Sequence, residues 1–332
     1  MKLNILILCL SISSTAFALE PIEFKDNNLE SITINKPALF PEGIDYNPTT
    51  DKFIVGSFRD GGVYEIDLDG NYRRLINDER LNSVLAVRVD VKRNRLFVAN
   101  SDVGSSINSY IGGPKKSAFI GIYELSTGKN INFINLGKLH PNKNHLANGI
   151  GIDDKGNVYV TDSFSPVIYK VDISGHASVF LESDKFSGDG VNLNGILFHP
   201  DGYLIAVKKN EGVLFKIPLN NPQQLSVIKS PRKFIGGDGL ILLNKKELLV
   251  IANRAAGEIT ETVFFLESKN DWKTTNVTKE LKFGKVYLTT GAIRKNKVYV
   301  MHSNLKTLLL TPKDEKNTLN KKATIQQILN IN

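Results

Sequence analysis

Four residues recur immediately before a glycine at the head of a short apolar run: Glu42 in Glu42-Gly43-Ile44, Asn148 in Asn148-Gly149-Ile150, Asn194 in Asn194-Gly195-Ile196 and Asp238 in Asp238-Gly239-Leu240. Two carboxylates and two side-chain amides are hard oxygen donors. If they converge they suit Ca²⁺, with Mg²⁺ or Mn²⁺ as alternatives, and the two negative charges balance one divalent cation. Zn²⁺ also accepts oxygen ligands, but no histidine stands among the four. Asn or Asp before Gly is also a common turn pair. The metal reading therefore rests on recurrence at one phase of a repeat, not on any single copy.

The elements that would bring these residues together are short strands rich in Val, Ile, Tyr, Phe and Leu, separated by turns of Gly, Asn, Asp and Lys. The first copy contains four, at 42–46, 53–57, 62–67 and 72–76. The second has 85–89 and 95–100, then an insertion at 101–117 rich in Gly, Ser and Asn, then 119–125. That insertion reads as a lid or pocket wall, or else as a floppy excursion. The third copy is 148–163 with 167–172 and 177–181. The fourth is 194–198, 203–207, 213–217 and 225–228, with His199-Pro200-Asp201-Gly202 as its hairpin turn. The fifth is 238–242, 248–252 and 262–266, and the sixth is 290–293, 298–302 and 308–310. A repeat of about 45 residues predicts an all-β, six-bladed β-propeller with four antiparallel strands per blade. Residues 31–34 are expected to complete the sixth blade from outside, with 323–329 as the alternative.

In such a ring the innermost strands all begin on one face, so Glu42, Leu85, Asn148, Asn194, Asp238 and Thr290 meet around the axis. Leu85 and Thr290 would leave an ion open to water and substrate. Second strands return to the same face, which makes Asn100, Asp162, Ser163, Asn253 and His302 candidate pocket residues or, alternatively, strand-end caps. His302 is the histidine placed to act as an acid or base, whereas His140, His145, His176 and His199 fall in loops or turns and are expected at the surface.

The motifs carry a resemblance. Pro41-Glu42-Gly43, Ala147-Asn148-Gly149-Ile150 with Thr161-Asp162-Ser163, Leu193-Asn194-Gly195 with His199-Pro200-Asp201-Gly202, and Gly237-Asp238-Gly239-Leu240 resemble the senescence-marker-protein / gluconolactonase / luciferin-regenerating-enzyme family. The resemblance implies a six-bladed propeller with an axial divalent metal on Glu42, Asn148, Asn194 and Asp238. It also implies hydrolysis of a lactone or ester, in which the metal polarises the carbonyl and Asp238, or a water that it activates, begins the attack. General metal-ion and base catalysis accord with that scheme. Sugar-lactone members carry an Arg two positions before the third-blade Asn, where this chain has Leu146. Together with Leu85, Leu146 points to a more hydrophobic lactone or ester. A noncatalytic propeller that binds a ligand or protein, with a structural metal, is the other class the sequence leaves open.

A chain of 332 residues could hold two domains, but a closed all-β ring uses that length as one, here 19–332. Residues 1–18 read as a signal peptide: Lys2, an apolar run, and Ala16-Phe17-Ala18 as the cleavage signal. The expected destination is periplasmic or secreted. The apolar run falls short of the roughly 20 residues a spanning helix needs, so no stable membrane insertion is expected. Cys9, the single cysteine, lies in that leader, which leaves the mature chain without thiol nucleophiles, disulfides or cysteine-bound zinc. The net charge of +8 comes from basic residues scattered among acids and gathered in turns such as Lys92-Arg93-Asn94-Arg95. That pattern makes a solvated basic surface rather than a nucleic-acid site.

Overall fold

Strands of four to eight residues cannot bury both faces of a lone hairpin, so they are stable only when sheets stack on sheets. The computed structural model, which describes residues 28–109, 113–253 and 261–331, shows how this chain does so. Residues 1–18, the expected leader with Cys9 and its cleavage signal, lie outside the described residues.

After β1 (Ser31–Thr33), the first blade is β2 (Pro41–Asn47), β3 (Lys52–Ser57), β4 (Val63–Ile66) and β5 (Tyr72–Ile76). The second is β6 (Ser83–Asp90), β7 (Arg95–Ser101), β8 (Phe119–Glu124) and β9 (Asn130–Asn135). The third is β10 (Ala147–Ile152), β11 (Val158–Asp162), β12 (Val167–Val171) and β13 (Ala177–Glu182). The fourth is β14 (Leu193–His199), β15 (Tyr203–Lys208), β16 (Val213–Pro218) and β17 (Ser226–Val227). The fifth is β18 (Gly237–Asn244), β19 (Glu247–Ala252), β20 (Glu261–Glu267) and β21 (Asn276–Phe283). The sixth runs outward from β22 (Leu288–Arg294) through β23 (Lys297–His302) and β24 (Thr324–Asn330) to β1. Each innermost strand packs against those of the blades on either side, and β22 against β2 closes the circle. The protein is a six-bladed propeller of four-stranded antiparallel sheets, as its repeat predicts.

The N-terminal segment completes the sixth blade, with Ser31, Ile32 and Thr33 opposite Gln326, Ile325 and Thr324. The C-terminal segment is the strand just inside it. This corrects the placement of 308–310, which end a short helix α1 (Leu305–Leu310) instead of forming the third strand. Leucine favours helix, and Leu305 and Leu308, three residues apart, are buried while Leu309 and Leu310 face out.

Stacking gives each blade interface its own apolar core. Between blades one and two, for example, Ile54, Val63 and Leu75 meet Val84, Val98 and Tyr123. Middle strands are covered on both faces, which is why β15 is buried along its whole length and reads as an apolar run from Tyr203 to Val207 before Lys208. A seventh cluster lies outside this scheme. On the face where the innermost strands begin, Phe40, Phe58, Leu85 and Leu146 pack with Leu305 and Leu308 of α1. The described part of the 101–117 insertion is tied down beside this roof: Arg59 Nη1 donates to Ser105 O at 2.9 Å and Ser106 Oγ to Asn82 O at 2.7 Å. No helix among the described residues is long and apolar enough to cross a membrane.

Candidate metal and catalytic site on the propeller axis

All six innermost strands break register near their start. A bulge at this point turns one extra side chain toward the axis, as bulges at the rims of rings and barrels do. The bulged residues are Glu42, Leu85, Asn148, Asn194 and Asp238, the positions marked by the sequence. In the sixth blade Leu288 pairs with His302 and Gly291 with Val300, so the equivalent residue is Thr289. Thr290 stands one place further on, in the glycine position, yet still lines the axial cavity.

The glycines explain themselves here. A Cβ on Gly149 would lie 2.3 Å from the carbonyl oxygen of Asn194, and one on Gly195 would lie 2.3 Å from that of Asp238. Successive inner strands approach too closely for any side chain. Neither glycine has positive φ, so the recurring Asn-Gly and Asp-Gly pairs in these blades are packing features rather than turns.

The four oxygen donors are at least nine-tenths buried: Glu42 is 9%, Asn148 4%, Asn194 3% and Asp238 5% exposed. Leu85, Asn148, Asn194, Asp238 and Thr290 line an axial cavity of about 30 Å³, room for an ion or a water. Toward the opposite face the channel widens to about 340 Å³, past Asp45, Arg88, Phe198 and Ile293.

A second circle of side chains holds the first. Ser163, Lys209 and Asn253 each follow the residue that pairs just before the bulge. Asn148 Nδ2 donates to Ser163 Oγ at 3.0 Å, and Ser163 Oγ in turn donates to Leu193 O. Thr161 Oγ1 donates to Asn194 O at 2.7 Å and receives Gly149 N–H at 2.8 Å, which locks blades three and four. Asn253 Nδ2 donates to Asp238 Oδ2 and to Leu288 O. Lys209 Nζ also donates to Asp238 Oδ2. Lys209 was not legible as a site residue, since a Lys-Lys pair at a strand end normally faces water. Its register match to Ser163 and Asn253 was the available signal.

Electrostatically the site is a buried acid pair with one cation. Burial raises Glu42 well above the usual carboxylate range and the charge of Asp238 pushes it further, while Lys209 opposes. Burial likewise raises Asp238, against the charge and hydrogen bond of Lys209 and the hydrogen bonds of Asn253 and Asn194. For Lys209, burial disfavours the ammonium, but Asp238 and then Tyr287 and Glu42 outweigh it and the pKa is raised.

The donor set fits a divalent ion in chemistry, being two carboxylates and two amides with no nitrogen or sulfur ligand. Two buried oxygens at the ring, Asn253 Oδ1 and Thr289 Oγ1, have no hydrogen-bond partner in the structure. Histidine, cysteine and acid side chains alone would not suffice, because among the described residues no three of them cluster.

Other expected pocket residues have different work. Asn100 Oδ1 receives Asn82 N–H at 2.7 Å. Asp162 takes the N–H groups of Leu146, Phe164 and Ser165 and bonds His145 Nδ1 at 2.7 Å. His302 packs edge-on against Phe283 at 5.6 Å, and burial holds its pKa down to about 4. These three occupy the strand-pairing position, whose side chain turns between blades, and none lines the axial cavity. Leu146 likewise belongs to the roof. Contrary to expectation, His145 and His199 are buried, the latter stacked on Tyr203 at 4.3 Å.

No family model matches the sequence, and no curated protein sequence matches it. Solved structures do. The major allergen Mala s 1 of Malassezia sympodialis shares 17% identity, over 90% of this chain and 95% of its own, with a TM-score of 0.70. Luciferin-regenerating enzyme shares 12% over 91% and 96%, with a TM-score of 0.61. Regucalcin from Agrobacterium tumefaciens, described as a calcium-binding protein, shares 14% over 90% and 94%, also at 0.61. The likeness at these identities is one of architecture: the chain has the six-bladed propeller fold that luciferin-regenerating enzyme and regucalcin have, as its motifs suggested.

Proposed function

We propose that this protein is an exported, metal-dependent hydrolase of a hydrophobic lactone or ester, with its chemistry at the propeller axis. One observation carries the reading: four blades place Glu42, Asn148, Asn194 and Asp238 at the same buried bulge, the last three lining one small cavity and Glu42 near enough to Asp238 for their charges to interact. These residues would hold the cation, Ca²⁺ before Mg²⁺, Mn²⁺ or Zn²⁺ by the hardness of the oxygens. A cation so held stabilises negative charge on a substrate oxygen.

The protein's own residues supply the rest. Asp238 is the base. Its Oδ2 is held by Asn253, which leaves Oδ1 to take a proton from an attacking water. Leu85 and Leu146, both in the apolar roof, favour an apolar acyl or alkoxy group over a sugar. A fold shared with regucalcin, described as calcium-binding, agrees with the choice of ion.

The test is hydrolysis of a panel of aliphatic lactones and aryl esters by the purified protein. Activity is expected to be abolished by chelation, restored by Ca²⁺, and reduced about 10²–10⁴-fold by Asp238→Asn, the usual contribution of a general base. Turnover that survives both chelation and Asp238→Asn would reject the scheme. The apolar roof favours a second reading, a noncatalytic binding propeller with a structural ion. No turnover across the panel, together with a rise in melting temperature on adding Ca²⁺, would select it.

A further inference from the structure

Blades three and five brace their ring residues with neutral side chains, Ser163 and Asn253, but blade four puts the cation Lys209 in the equivalent place. Its ammonium bonds the same oxygen of Asp238 that Asn253 bonds. The side chain has little alternative, being 8% exposed. Its backbone is fixed on both sides: Lys209 N–H donates to Asn192 O at 2.8 Å, and Gly236 N–H donates to Lys209 O at 2.9 Å. Only a swing of the side chain can move the charge. A fully formed divalent site and a Lys209–Asp238 pair are therefore in competition, since both draw on one carboxylate and like charges at ion-contact distance repel.

We propose that the Lys209 ammonium is the resident cation of the ring and that a divalent ion enters only by displacing it. This rests on the metal reading above. The ring then carries positive charge in both states, an ammonium when metal is absent and the ion when it is bound. Glu42 and Asp238 are never left facing each other uncompensated in a buried cavity, a condition that is costly for any pair of acids. Lys209 thereby sets how much divalent ion the site requires. A neutral residue in its place would make the ring a much tighter binder but a less stable metal-free protein.

Two measurements decide it, neither of which is activity. Ca²⁺ binding is followed by isothermal titration calorimetry for the wild type, Lys209→Met and Lys209→Gln. Thermal unfolding in EDTA is followed for these and for Lys209→Met combined with Glu42→Gln. The expected result is at least tenfold tighter Ca²⁺ binding by both single variants, a lower melting temperature of Lys209→Met in EDTA, and recovery of that loss when Glu42→Gln removes one acid. Equal Ca²⁺ affinity in all three proteins with unchanged melting overturns the role of Lys209 and leaves the metal reading intact. Absence of Ca²⁺ binding in all three overturns the metal reading. In that event Lys209 stands as the resident cation only if Glu42→Gln reverses the loss in EDTA, and falls if it does not. Lys209→Gln keeps a hydrogen-bond donor for Asp238, so a folded comparison remains if the methionine variant does not accumulate.

Discussion

At the scale of single residues, the neighbours of a buried titratable group decide what it can do. Asp238 is held by two N–H donors on one oxygen, whereas His302, the histidine the sequence offered as acid or base, sits between blades against Phe283. Its imidazole titrates at about 4 because burial opposes the charged form. The unfolded chain takes up that proton near its ordinary value, about 6.5, and the folded chain only near 4. Stability is therefore expected to be flat above that window and to fall as pH drops through it, by on the order of 3 kcal/mol in total. His302→Gln should flatten this part of the profile, as read from urea unfolding at successive pH values. If the slope is unchanged, another group produces it. The sequence exposed Glu42, Asn148, Asn194 and Asp238 because each precedes a glycine or heads a strand. It concealed Lys209, His145 and His199, since whether a charged or polar side chain turns inward depends on neighbours from another blade.

At the scale of elements, the bulged innermost strand is the unit that makes the site. Gly149 and Gly195 are required by the approach of the next blade, so Gly195→Ala is expected to destabilise the protein by about 1–3 kcal/mol or more, the usual cost of overpacking. The check is the shift in chemical-denaturation midpoint, and a neutral substitution would show that the inner strands are free to separate. Helix α1 is the element the sequence concealed most completely. Leu308-Leu309-Leu310 is compatible with strand or helix over so short a run, and the choice was made by the roof, which accepts Leu305 and Leu308 on one side of a helical turn. Leu308→Ala is expected to cost about 2–5 kcal/mol as a buried truncation. If the roof also restricts access to the axis, the same variant should raise kcat/KM for the bulkier esters relative to the small ones. A uniform fall across the panel would make α1 a purely structural element.

At the scale of the whole molecule, blade number and strands per blade were legible because a repeat of supersecondary units leaves its period in the sequence. Ring closure was only half legible, since two terminal segments competed for one position and both turned out to be used. The resulting pairing joins Ser31 to Gln326, almost the full length of the chain. Removal of residues 28–34 should leave β24 as an open edge, lower the melting temperature and promote self-association visible by size-exclusion chromatography. This arrangement also sets a clock. The strand that β1 must meet is made only after β2 to β23, so the circle cannot close until β24 has left the ribosome, and contacts of such high sequence separation form slowly. For the exported protein proposed above, the late seam would keep the polypeptide open through translation, and the assembled axial site would follow only once β1 and β24 are on the same side of the membrane.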